Sequence, residues 1–243
     1  KLYYIIFVFL LAFIPPGKNK ITIWLIGDST MSIKEEKAWP ETGWGVPFVH
    51  FFDSTVTVIN HARNGRSTRS FITEGLWQKV VDNAKPGDYV FIQFGHNDEV
   101  PTKVSATKPD EFKTNLERYI RETKSRQAHP ILLTPVARRK FDSTGTLVGT
   151  HEAYSQIVRT VAKENKVPLI DLDAKSKAVL QAWGVERSKL LYNQLAPGEH
   201  PNYPKGVEDN THFNELGARV MAQLVLQGIK ELGLELEDRV VRK

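Results

Sequence analysis

The chain has 243 residues, with 33 basic against 28 acidic side chains (a net charge of +5), 41% hydrophobic and 25% charged residues. That balance suits one α/β domain or two small ones, and it excludes a disordered chain, a collagen-like repeat and a multi-span membrane protein. There is no cysteine, so disulfides, thiolate metal sites, a cysteine nucleophile and a lipidated cysteine anchor are impossible.

Leu2 to Ile14 is almost wholly apolar, follows Lys1 and ends at Pro15-Pro16-Gly17. The run falls short of the roughly 20 residues that a membrane span needs. Its pattern is that of the h-region of a secretory signal peptide. Residues 1–17 are therefore expected to be a signal peptide and 18–243 a single domain without a stable membrane span. Secretion to a bacterial periplasm or cell surface, where disulfides are optional, fits the missing cysteine.

Five short apolar runs follow, each bounded by turn residues, as buried strands are. They are Ile21–Ile26, Val56–Ile59, Asp88–Phe94, Pro130–Thr134 and Val167–Asp171. Helical periodicity lies between them. Leu76, Val80 and Ala84 mark a helix over 71–84; Phe112, Leu116, Tyr119 and Ile120 mark one over 109–127. Tyr154, Ile157, Val158 and Val161 mark one over 151–165, and Leu216, Val220, Leu224, Val225 and Ile229 give the last helix a wide apolar stripe. Strands alternating with helices imply parallel pairing through right-handed crossovers, hence an α/β, three-layer, doubly wound sheet of about five parallel strands. The stretches 31–47 and 191–210, rich in Gly, Pro and charge, read as surface loops.

Four polar clusters fall where such folds keep their sites, at the carboxyl ends of strands. Strand one runs into Gly27-Asp28-Ser29-Thr30, strand two into Asn60-His61-Ala62-Arg63-Asn64-Gly65-Arg66-Ser67, and strand three into Gly95-His96-Asn97-Asp98; Asp209-Asn210-Thr211-His212 precedes the last helix. With strand one between strands two and three, the first three clusters meet at one point and a loop must bring the fourth. A serine hydroxyl needs a base to become a nucleophile. His212 can be that base, and Asp209, three residues earlier, can fix its tautomer. The backbone N–H groups of Ser29 and Gly65 and the amide of Asn97 are candidate donors to an oxyanion. Singly these are a helix cap, a turn glycine and a loop amide; the order of all four is what points to catalysis.

The four clusters, together with Gly43-Trp44-Gly45 and Phe213, resemble the blocks of the SGNH (GDSL-type) hydrolase superfamily, and within it the rhamnogalacturonan acetylesterases. The resemblance implies a flavodoxin-like sheet, Ser29 as nucleophile, Asp209 and His212 completing the triad, and Ser29, Gly65 and Asn97 in the oxyanion hole. It further implies a secreted serine carboxylic-ester hydrolase that removes O-acetyl groups from acidic plant cell-wall polysaccharide of the rhamnogalacturonan or pectin kind. Thr30 stands where the broader GDSL pattern has leucine, which favours the acetylesterase branch. The alternatives are an SGNH lipase or acyl-ester hydrolase with another substrate, and an inactive carbohydrate-binding surface protein.

Substrate contacts are expected from Trp44, whose loop follows the nucleophile and could stack on a sugar. His96, beside Asn97, is a further candidate. Arg66 and Arg69, with the run Arg138-Arg139-Lys140, could hold carboxylates of a polyanion. Gly-x-Ser-x-Gly and the second histidine of a zincin motif are both absent. No cofactor or metal is expected, and the mild positive charge carries no nucleic-acid-binding motif. The sequence leaves the oligomeric state open.

Overall fold

The computed structural model describes residues 19–241; the expected signal peptide lies outside them. Five parallel strands form the central sheet: β1 (Ile21–Gly27), β2 (Val56–Asn60), β3 (Tyr89–Gln93), β4 (His129–Leu133) and β5 (Leu169–Ile170). Their spatial order is β2-β1-β3-β4-β5. The chain thus winds one way from β1 to β2 and the other way from β3 onward. The switch point lies at the carboxyl end of β1, where the sequence places Ser29.

Among the described residues, seven α-helices accompany the sheet: α1 (Gly45–Phe48), α2 (Thr68–Thr73), α3 (Leu76–Asn83), α4 (Pro109–Ser125), α5 (Glu152–Asn165), α6 (Leu172–Arg187) and α7 (Glu215–Glu231). The inner strands are mostly apolar because helices cover both faces, and successive side chains feed opposite layers. Ile23 and Leu25 of β1, Tyr89 and Phe91 of β3, and Ile131 and Leu133 of β4 pack with Trp44, Phe48, Leu180, Met221, Val225 and Ile229. Trp24, Ile26, Val90, Ile92 and Leu132 point the other way, onto Phe71, Trp77, Leu116, Tyr119 and Val161.

Three expectations need correction. The helix expected over 71–84 is two, α2 and α3, divided at Gly75, whose φ of 70° breaks the helical path. The helix α6 arises where none was expected, its first turn capped by the Asp171 side chain accepting from the Ala174 N–H. The stretch 191–210 is not simply a loop. It holds β6 (Tyr192–Leu195), which pairs antiparallel with β7 (Val207–Phe213) in a separate two-stranded sheet. The Asp209–His212 cluster therefore sits on a strand and ends two residues before Asn214, which caps α7 by accepting from the Gly217 N–H.

Candidate active site

The turn after β1 is built from Asp28. Its Oδ1 accepts from the N–H and the hydroxyl of Thr30, at 2.9 and 2.8 Å, and its carbonyl accepts from the N–H groups of Met31 and Ser32. Burial pushes the Asp28 carboxyl up from its ordinary range, against the pull of those hydrogen bonds. A relay holds the turn from below: the Trp44 indole N–H donates to Gln93 Oε1 at 2.6 Å, and the Gln93 amide donates to Thr30 Oγ1 at 3.0 Å. Gly43 lets the segment carrying Trp44 lie on this turn. A Cβ there would stand 2.3 Å from the Ser32 carbonyl oxygen.

Ser29 Oγ, at the apex, lies 2.9 Å from His212 Nε2. His212 Nδ1 lies 2.7 Å from Asp209 Oδ2. A carboxylate can only accept, so the ring proton resides on Nδ1 and leaves Nε2 free to accept from the serine. Asp209 Oδ1 also accepts from the N–H groups of Thr211 and His212, at 2.7 and 3.0 Å. Burial alone would raise the Asp209 carboxyl; the imidazole and these backbone donors outweigh it and hold it below the usual carboxylate range. The hairpin that presents His212 is braced by Arg139, whose guanidinium donates to Asn210 Oδ1 at 2.8 Å and to Ser188 Oγ at 3.0 Å.

The other candidate donors to an oxyanion lie on the loops that follow the two neighbouring strands, β2 and β3. The Arg63 N–H donates to the Gly27 carbonyl, which carries the chain beyond β2 alongside β1 before it turns at Gly65, with φ of 74°. Among the described residues, neither the Ser29 nor the Gly65 N–H is spent on an acceptor. Asn97 is buried and held at both ends of its amide: Nδ2 donates to the Arg66 carbonyl at 3.0 Å, and Oδ1 accepts from Lys103 Nζ at 2.5 Å. One Nδ2 hydrogen is left over. Asp98 ties this loop to α2 by accepting from the N–H and hydroxyl of Thr68 and the hydroxyl of Thr107.

Such an arrangement can run acyl transfer: a hydroxyl with a base in reach, an orienter for the base, and unspent N–H donors nearby. Among the described residues, no group of three or more His, Asp or Glu side chains could hold a metal ion. An open groove of about 780 Å³ adjoins the site beyond Glu41, lined in part by Trp39, His50, His200, Leu216 and Arg219.

The expected substrate contacts fare differently. Trp44 is fully buried, edge-on to Phe48 and bonded to Gln93; it supports the serine turn and cannot stack on a sugar. His96 is buried against the His151 ring, with centroids 4.2 Å apart. Burial, then the neighbouring His151, Arg138 and His212, push it well below the ordinary histidine range, so it is neutral packing. Arg66 and Arg69 stand at the surface but are neutralised, the first by Glu74 at 2.8 Å and the second bidentately by Glu111. In the basic run, Arg138 faces Glu99 at 3.6 Å and Arg139 braces the hairpin. Sequence reasoning missed Lys34 and Glu41: Lys34 opens a charged run, Lys34-Glu35-Glu36-Lys37, that reads as solvated surface, and Glu41 follows it four residues later in the same loop.

The model of the GDSL-like lipase/acylhydrolase family matches residues 25–220. The chain belongs to this family. It is a serine esterase of the acetylesterase group: it is 44% identical to rhamnogalacturonan acetylesterase RhgT of Bacillus subtilis, over 93% of this chain and 97% of that one. It is also 27% identical to the rhamnogalacturonan acetylesterase of Emericella nidulans, over 93% and 92% of the two chains. Among solved structures it resembles Bacillus subtilis YxiM, with a TM-score of 0.77 and 32% identity over 90% of this chain and 58% of that one. The acetylxylan esterase Axe2 of Geobacillus stearothermophilus shares the fold, with a TM-score of 0.63 at 21% identity over 87% and 94% of the two chains. Among the described residues of this esterase, no helix is long and apolar enough to cross a membrane.

Proposed function

We propose that the esterase is exported, after loss of residues 1–17, and removes O-acetyl groups from acidic plant cell-wall polysaccharide of the rhamnogalacturonan kind. Ser29 Oγ attacks the acetyl carbonyl as His212 Nε2 takes its proton. The resulting oxyanion is met by the N–H groups of Ser29 and Gly65 and by the free Nδ2 hydrogen of Asn97. Collapse expels the sugar hydroxyl, protonated by His212, and leaves an acetyl ester on Ser29. Water, deprotonated by His212, then attacks that ester and releases acetate. Asp209 stays ionised throughout and balances the imidazolium.

The unbroken line from Ser29 Oγ through His212 to Asp209, at 2.9 and 2.7 Å, carries the mechanism. It also argues against an inactive binding module, which has no use for a serine paired to a base. The substrate rests on the similarity to RhgT along nearly the whole of both chains. The groove beyond Glu41, with the half-exposed indole of Trp39 on its wall, gives a polymer room beside the serine. Acetate release across acetylated rhamnogalacturonan, homogalacturonan, xylan and small acetyl esters tests the assignment. The expected result is highest kcat/KM on rhamnogalacturonan and none in Ser29→Ala; equal or higher kcat/KM on xylan would overturn the substrate.

A further inference from the structure

We infer that Lys34 and Glu41 form a charge-neutral positioning pair that sets the spacing of the Ser29 turn from the Gly65 loop and balances the electrostatic field at His212. The inference rests on Ser29 and His212 acting as nucleophile and base, but not on the identity of the polysaccharide.

The Lys34 side chain is only 1% exposed, and that of Glu41 13%. Burying an ammonium is costly unless each of its three donors finds an acceptor and an opposite charge stands beside it. Lys34 meets both conditions. Its Nζ donates to the Ser29 carbonyl at 2.5 Å and to Asn64 Oδ1 at 3.0 Å, and lies 2.5 Å from Glu41 Oε1. Asn64 precedes Gly65, and its Oδ1 also accepts from Ser32 Oγ at 2.5 Å. One buried cation thus joins the carbonyl of the nucleophile itself to the residue next to a candidate oxyanion donor. The Ser32 hydroxyl spans the same two acceptors, at 2.5 Å from Asn64 Oδ1 and 3.4 Å from the Ser29 carbonyl, but brings no charge; Lys34 is the charged member of this link.

The second half of the pair looks toward the base. Glu41 Oε1 lies 3.9 Å from His212 Nε2, too far for a hydrogen bond and close enough for a substantial Coulomb interaction in a half-buried site. The other charged or titratable groups acting on His212 are Asp209 from β7, Asp28 from the end of β1 and His96 from the end of β3. Burial pulls the Lys34 ammonium down, and Glu41, Asp28 and Asp209 hold it up. While both members of the pair are charged, their effects at His212 largely cancel; removing either one exposes the other.

That cancellation gives the test a sign. Lys34→Met leaves a carboxylate facing the imidazole, which favours imidazolium, so the acid limb of kcat/KM should move to higher pH by about 0.5 unit. Glu41→Gln leaves an ammonium, and the limb should move to lower pH by a similar amount. The double variant should return toward wild type. A small neutral acetyl ester serves as substrate, and each preparation is titrated with a serine-directed organophosphate whose site is located by mass spectrometry. Counting only labelled Ser29, kcat in Lys34→Met should fall about 10–100-fold, with KM nearly unchanged, because a loosened serine turn misplaces the nucleophile. Wild-type kcat per labelled serine, or acid limbs that do not move in opposite directions, would overturn the inference. Labelling at another serine would overturn the triad instead. If Lys34→Met does not fold, the near-isosteric Glu41→Gln decides alone: an unmoved acid limb rejects the field at His212.

Discussion

Asn97 shows how one side chain is aimed. Lys103 and the Arg66 carbonyl clamp opposite ends of its amide, so the remaining N–H is fixed without help from substrate. A donor fixed in advance and aimed at charge that develops only in the tetrahedral intermediate lowers the barrier without tightening ground-state binding. Asn97→Ala is therefore expected to lower kcat by roughly 10²–10³, about 2.7–4 kcal/mol, with KM little changed. Measuring kcat and Tm on the same preparation checks this. A destabilised variant with full kcat would make Asn97 a loop brace only. Ser29, Asp209, His212, Gly65 and Asn97 are legible in the sequence because their chemistry sits in short contiguous clusters at strand ends. Lys34, Glu41 and Trp44 are not. Lys34 resembles any surface lysine until the fold folds its loop inward, and Trp44 resembles a sugar platform until Gly43 lets it pack beneath the serine.

At the scale of elements, the inner parallel strands are readable because burial on both faces makes them mostly apolar runs, and the edge strand β2 because it keeps Val56, Val58 and Ile59 between turn residues. The β6–β7 hairpin, which bears the His212 cluster, is not, because polar side chains, exposed at Glu208 and partly buried from Asp209 to His212, run between the apolar ends of β7. Helix α6 hides for a related reason: its apolar stripe is weak and Gly184, with φ of 72°, interrupts it. Two loops that belong to different strands are fastened by Asp98, and its ionisation makes that fastening depend on pH. Burial pushes the Asp98 carboxyl up to about 6, in spite of its hydrogen bonds from Thr68 and Thr107. A folded value above the unfolded one means that folding takes up a proton. The associated stability is complete below the unfolded value of 3.8 and is lost as pH rises through about 6. Its full size is about 3 kcal/mol. Asp209, held low, has the opposite sign, and its contribution is lost only as pH falls through its folded value. Urea unfolding between pH 4 and 7 should show the Asp98 component in the wild type and not in Asp98→Asn; identical pH slopes would contradict it. The Trp44 relay makes a separate prediction. Trp44→Phe keeps most of the packing but leaves buried Gln93 Oε1 without its donor, a loss of about 1–3 kcal/mol of stability. The same unfolding experiment measures it, and an unchanged midpoint would remove the relay.

For the whole molecule, the charges conspicuous in the sequence are largely spent inside the fold. Arg66, Arg69, Arg138 and Arg139 have partners on the protein itself. Any pull on a polyanion then comes from the net charge, +5 for the whole chain and +4 (32 basic against 28 acidic side chains) once Lys1 leaves with residues 1–17, and from cations without such partners among the described residues, Arg219 on the groove being one. On acetylated rhamnogalacturonan, kcat/KM is expected to fall as salt rises, while a small neutral acetyl ester responds little. Arg66→Ala and Arg69→Ala should leave that contrast in place; its loss in either variant would restore those residues as substrate contacts. The central claim is that Ser29 carries the acyl group. Rapid acid quench during turnover of an acetyl ester, followed by peptide mass spectrometry, tests it most directly. The expected result is an acetyl group on the peptide containing Ser29, at Ser29 Oγ, and absent from Ser29→Ala, which is also inactive. Acetylation at a different residue, or turnover retained in Ser29→Ala, would contradict it.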